Sequence, residues 1–138
     1  MFRGCSSLSF LDLSGCRAGS ARCVLRALDT PSALLELDLS GVDASGEAYL
    51  SRMFDGCSSL SSLDVSGWDV SSAESLYSMF EACSSLQSLD LSGWDVSNVR
   101  RFQSWGTEGG LFRGCSSLTS LDLSGWDVSS ATDLGYMF

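Results

Sequence analysis

This chain contains no histidine and no lysine, and its only basic side chains are eight arginines. Each absence removes a class of chemistry. Without histidine there is no Ser-His-Asp triad and no Cys-His nucleophile pair, and a zinc site loses a principal ligand. Without lysine there is neither a P-loop lysine nor a Schiff base. The formal net charge of −9 opposes nucleic acid, whose binding rests on basic groups that displace counterions, and opposes docking on an anionic membrane. No stretch approaches the roughly 18 consecutive apolar residues of a transmembrane helix. The opening Met1-Phe2-Arg3-Gly4-Cys5 has no signal-peptide apolar core. Proline occurs once, at Pro31. Apolar residues make up 44% of the chain, enough for a core and against disorder.

What the chain has in abundance is repetition. Cys57 to Phe80 returns nearly unchanged from Cys83 and again from Cys115. The copies span 1–26, 27–52, 53–78, 79–110 and 111–136, a 26-residue period interrupted by a six-residue insertion at 105–110. The first two are degenerate, with Cys16 and Val42 where later copies carry Trp. The shared core is LxxLDLSG: Leu8, Leu11, Asp12, Ser14 and Gly15 recur in every copy. Such a period points to a stacked array in which each unit touches its neighbours. Met1 falls in the repeat's Met position and Met137-Phe138 opens a further copy, without polar caps, so a piece of a longer array is expected.

Leu63-Asp64-Val65-Ser66 alternates apolar and polar residues, the signature of a half-buried strand. Gly67 permits a turn, and Trp68-Asp69-Val70 reads as a second short extended piece. Ala73, Leu76, Met79, Phe80 and Cys83 then form one helical stripe. Ser71-Ser72-Ala73-Glu74 fits a capping box at its start. The expectation is therefore an α/β solenoid, a leucine-rich-repeat-like stack of about five strand-turn-helix units.

The motif LxxLDLSGWDVS with an MFxxCxSL segment resembles the 26-residue repeat of the BspA-like leucine-rich-repeat bacterial surface proteins. Met79 to Leu86 and Trp94 to Ser97 carry the likeness most fully. It covers the whole chain, strongly over 53–138. The resemblance implies display at the cell surface or outside the cell, adhesion to a protein or glycan partner, and no catalytic residues or cofactors. The chain shows no export signal, lipid-attachment site or wall anchor.

The sharpest candidate surface is the outward column Asp12, Asp38, Asp64, Asp90 and Asp122 with its serines, including Ser66 and Ser92. A second column holds Asp43, Asp69, Asp95 and Asp127, headed by Arg17. Charges about 5 Å apart repel by roughly 1 kcal/mol even in water. Hydrogen bonds to nearby N–H groups, salt screening, or a bridging Ca²⁺ would offset this. The Trp68, Trp94 and Trp126 column reads as core rather than a sugar-stacking face. Trp105, outside that register, is the better candidate for an exposed contact. The Cys5, Cys57, Cys83 and Cys115 column reads as buried thiols, while Cys16 and Cys23 sit off the column and could pair. The Asp residues come in repeated rows, whereas catalysis by paired carboxylates needs a unique pocket. The chain is therefore expected to be a binding module and not an enzyme, with Asp38, Asp64, Asp90, Asp122, Ser66, Ser92 and Trp105 as partner-binding residues. Rival readings are an architectural spacer and an intracellular protein-interaction scaffold.

Overall fold

The computed structural model describes residues 7–19, 33–103 and 109–138. Among the described residues the regular elements are four three-residue strands: β1 (Phe10–Asp12), β2 (Glu36–Asp38), β3 (Ser88–Asp90) and β4 (Ser120–Asp122). Strand β1 pairs with β2, and β3 with β4, in two separate parallel sheets. The register sets Leu11 opposite Leu37 and Leu89 opposite Leu121. Each strand is the x-Leu-Asp of the repeated core, whose period of two turns Leu toward the interior and its neighbours outward. Copy three contributes no strand: Leu63 to Ser66 joins neither sheet.

On another edge the copies are knitted by isolated parallel bridges, Tyr49 to Ser75, Ser75 to Arg101 and Arg101 to Asp133. Between these edges lies one continuous core, including Leu60, Leu76, Leu86, Trp94 and Phe102, all essentially inaccessible. Phe54, Phe80, Phe112 and Phe138 stack in a row with centroids 5.6, 5.7 and 5.6 Å apart. These are offset ring contacts repeating with the copies, each adding about 0.5–1.5 kcal/mol beyond area burial.

The expected α/β solenoid of leucine-rich-repeat type is overturned. Its helical stripe, Ala73, Leu76, Met79, Phe80 and Cys83, is buried, but it lies in turns and irregular backbone. The reason is where the backbone donors go. A helix needs each N–H to bond the carbonyl four residues earlier. Here Phe54 N–H donates to Met79 O, Phe80 N–H to Leu111 O and Phe112 N–H to Met137 O, so donors are spent on the neighbouring copy. The residues between close short turns, with Met79 N–H on Leu76 O and Cys83 N–H on Phe80 O. The expected capping box is also absent: the Ser71 hydroxyl donates to Asp69, and Glu74 N–H donates to Ala48 O. Trp68 to Val70 belongs to no strand. Of the insertion, only Gly109 and Gly110 are described, and Gly110 bridges antiparallel to Gln103.

Left-handed residues break any helix at two repeated places. Arg52, Ser78 and Tyr136 sit at φ of 60°, 54° and 50°. Gly56, Ala82 and Gly114 share a second position at 79°, 59° and 78°. A side chain in this region is strained by contact between Cβ and the backbone, so Ala82 holds a glycine's place. Ala82→Gly is expected to raise unfolding stability by about 0.5–1 kcal/mol, after allowing for the greater freedom of glycine in the unfolded chain. Gly114→Ala would set its Cβ 3.4 Å from the Ala82 Cα and is expected to lower stability by about 1 kcal/mol or more. Denaturant titration of both variants checks the two signs.

Candidate functional site

The acidic columns are built by local turns. Oδ1 of Asp12, Asp38, Asp64, Asp90 and Asp122 accepts the backbone N–H of Ser14, Ser40, Ser66, Ser92 and Ser124, respectively. The Ser66 and Ser92 hydroxyls donate to the same oxygens at 2.8 Å. The second column repeats the device: Asp43, Asp69, Asp95 and Asp127 each accept the N–H of a serine two residues on. The Ser71 and Ser97 hydroxyls add bonds of 2.6 Å. Aspartate readily forms such turns with its own backbone. Every D-x-S in the repeat is thus a closed loop of chain, and the carboxylates serve first to hold it.

These bonds set the charge state. The Ser66 hydroxyl and then its N–H hold the Asp64 carboxyl below the ordinary aspartate range. Serine partners do the same for Asp12, Asp43, Asp69, Asp95 and Asp127. At Asp122 the Ser124 N–H contributes more than the hydroxyl. Neighbouring charges oppose the effect, Asp43 on Asp69 and Asp127 with Asp69 on Asp95, but more weakly than the serines favour it. These carboxylates therefore stay ionised despite their neighbours' repulsion.

Of the residues marked from sequence, Asp38, Asp90 and Asp122 close β2, β3 and β4. Asp64 occupies the equivalent place in strandless copy three, and Ser66 and Ser92 follow two residues on. They share one column along the molecule, so the structure brings them to a common edge. The Oδ2 atoms of Asp64 and Asp90 accept no hydrogen bond from described residues. Trp105 lies outside the described residues. The second-column serines, Ser45, Ser71, Ser97 and Ser129, were not marked, although the second D-x-S of each copy signals them. A buried bond from the Ser51 hydroxyl to Ser75 Oγ, 2.9 Å long, had no signal in a chain this rich in serine.

The other two columns face inward. Trp94 is 1% exposed and its indole N–H donates to Val65 O at 2.9 Å. Trp126 makes the equivalent bond to Leu91 O, also 2.9 Å. Cys83 Sγ donates to Phe54 O and Cys115 Sγ to Phe80 O, both at 3.1 Å. Burial pushes the Cys57 thiol up to about 12, with the nearby Asp55 charge adding to it. Half-buried Cys115 is raised to about 11, and burial drives Cys83 further up. Cysteine acts as nucleophile or ligand through its thiolate, so these thiols are protonated structural groups at neutral pH, and those of Cys83 and Cys115 are hydrogen-bond donors. Cys16 is a free thiol, and Cys5 and Cys23 lie outside the described residues. Among the described residues no three His, Cys, Asp or Glu side chains converge to hold a metal ion, and no helix is long and apolar enough to cross a membrane.

A family model described as "Mycoplasma protein of unknown function, DUF285" matches residues 28–138. No curated protein and no solved structure matches the chain.

Two predictions follow from these charge states. Carboxyls with folded pKa values below the unfolded value stabilise the fold above that unfolded value, and the stabilisation is lost as pH falls through the folded one. The urea midpoint is therefore expected to be level from about pH 7 to pH 5 and to drop below about pH 4. A midpoint that rises on acidification would mean that relief of repulsion outweighs the serine bonds. For the thiols, alkylation of the native chain near pH 8 is expected to label Cys115 ahead of Cys57 and Cys83, the last two reacting only as the protein unfolds. Peptide mass spectrometry of time points reads the order.

Proposed function

This chain belongs to the DUF285 family, and we propose that it is a non-catalytic binding module of a surface protein, presenting its acidic edge to a protein or glycan partner. The observation that carries the reading is the repeated D-x-S turn. It holds exposed carboxylates ionised and at fixed register along one edge. A fixed row of one sign attracts and orients a partner of the other sign and speeds encounter. Arginine and lysine side chains of a partner would form charge-assisted hydrogen bonds with the open Oδ2 atoms. Hydroxyl groups of a glycan would use the same acceptors.

Composition supports a role without catalysis. The chain has no histidine and no lysine, and Cys57 and Cys115 are protonated groups of the core and its margin. The resemblance of Met79 to Ser97 to the repeat of BspA-like surface proteins supports display outside the cell. That display would place the acidic edge opposite matrix proteins and glycans.

The test is binding of the full chain to an array of matrix proteins and glycans, beside the double variant Asp64→Asn/Asp90→Asn. Asparagine keeps the acceptor that closes each turn and removes only the charge. The thermal midpoint is expected to stay within about 2 °C. Affinity for a basic partner is expected to fall by about fivefold or more and to become less sensitive to salt. Binding untouched by the double substitution would move recognition off this edge. A folded chain that selects no partner would favour the architectural spacer.

A further inference from the structure

We infer that the cleft between copies two and three is a binding site for a neutral polyol of about hexose size. Two boundaries between copies leave main-chain donors unmet, and this cleft lies at the one that also leaves an indole unmet. Between copies one and two, Leu13 N–H donates to Asp38 O at 2.9 Å and Gly15 N–H to Ser40 O at 3.0 Å. Between copies four and five, Leu91 N–H donates to Asp122 O at 3.0 Å. Between copies three and four the counterparts, Val65 N–H to Asp90 O and Gly67 N–H to Ser92 O, do not form, and between copies two and three Leu39 N–H does not reach Asp64 O, nor Gly41 N–H Ser66 O. The tryptophan pattern fails at the same place. Trp94 and Trp126 donate to Val65 O and Leu91 O. Trp68, whose assigned acceptor is Leu39 O, has no hydrogen-bond partner for its indole N–H although it is only 7% exposed.

These unmet groups line one cavity of about 450 Å³, bounded by Asp38, Leu39, Gly41, Asp64, Ser66 and Trp68. Leu39 and Trp68 are buried, whereas Gly41 is exposed, and buried donors without partners are rare and call for a ligand or water.

The lining selects the ligand. Residues carrying three N–H donors (Leu39, Gly41, Trp68) share the lining with residues carrying two main-chain carbonyls (Asp64, Ser66) and two carboxylates (Asp38, Asp64). No cation lines the cleft, so an anion would meet only repulsion from the carboxylates. An ammonium group offers no acceptor to the three N–H groups. An apolar molecule would leave all of these groups unpaired. Hydroxyl groups donate and accept, and so satisfy both sides. They also form charge-assisted bonds to the carboxylates. The volume lies at the small end of ligand sites, suited to a hexose. This site deepens the binding reading, on which it rests for the role of Asp64, but its donors are separate from the acidic edge.

The test is NMR titration of the ¹⁵N-labelled full chain with D-glucose, D-mannose, D-galactose and N-acetyl-D-glucosamine. The Trp68 indole resonance is assigned by its loss in Trp68→Phe. At least one sugar is expected to shift it saturably in the millimolar range and to slow amide exchange at Leu39 and Gly41. The Trp94 indole, already bonded to Val65 O, is expected to stay in place. Trp68→Phe is expected to weaken that sugar by about tenfold or more. The inference fails if none of the four moves Trp68 at about 50 mM, if Trp94 and Trp126 move equally, or if Trp68→Phe binds as well. Should that variant not fold, amide exchange in the unsubstituted chain decides alone. Loss of the sugar signal with basic partners still bound refutes only the cleft. Loss of basic partners with the sugar signal intact refutes only the acidic edge.

Discussion

Backbone hydrogen bonding between neighbouring copies is the constraint on which the rest of the structure depends. Phe54 N–H reaches Met79 O, Phe80 N–H reaches Leu111 O and Phe112 N–H reaches Met137 O. Once main-chain donors are committed to the next copy, the segments carrying them have none left for a helix. Buried main-chain groups must nevertheless be paired. The spacing between copies is thereby set by the hydrogen bond, and every side chain at a repeated position lands beside its counterpart. The phenyl row, the Trp and Cys columns and the two Asp columns all follow from it. Side chains reinforce it: Cys83, Cys115, Trp94 and Trp126 each donate to a carbonyl of the preceding copy.

Positional identity was legible in the sequence because it depends on chemistry local to each copy. A D-x-S closes on itself whatever the surrounding fold, so the outward placement of Asp64 and Ser66 could be read from alternation alone. The inward placement of Trp94 came from the same alternation. The helix was a different matter. Ala73, Leu76, Met79, Phe80 and Cys83 are buried, so the stripe marks the interior faithfully. A chain that closes a turn every three residues returns to the interior at nearly the spacing of a helix. Burial spacing cannot separate the two. The distinguishing sign is conformational: Gly56 and Gly114 mark a left-handed position that no continuous helix passes through. Ala82 obscures that sign in the copy between them.

The columns also show how a stack tolerates like charges in rows. Repulsion between exposed carboxylates is weak in water and further screened by salt, whereas each carboxylate accepts the serine N–H of its own turn, and Asp64, Asp69, Asp90 and Asp95 accept the serine hydroxyl as well. The local bonds are renewed in each copy, while the repulsion between copies is a surface effect. An array can therefore lengthen without accumulating instability along its acidic edge. The resulting edge is charged yet conformationally fixed, since the acceptors that hold the turns are the groups that carry the charge. A partner meeting the Oδ2 atoms would meet groups already ordered, which reduces the entropy lost on binding.

Regularity and selectivity pull in opposite directions in such a chain. Where Trp94 and Trp126 find their carbonyls, the buried indoles leave little for a ligand to complete. Beside Val42, the buried indole of Trp68 is left without the carbonyl bond that its counterparts make. Trp68 makes the contrast plain: it has the identity and burial of Trp94, packs on Phe54 with centroids 6.0 Å apart, and lacks only the acceptor. The degenerate copies are then more than worn versions of the regular ones. At the boundary of copies two and three they leave a buried indole unmet, and that is the capacity the proposed ligand would complete.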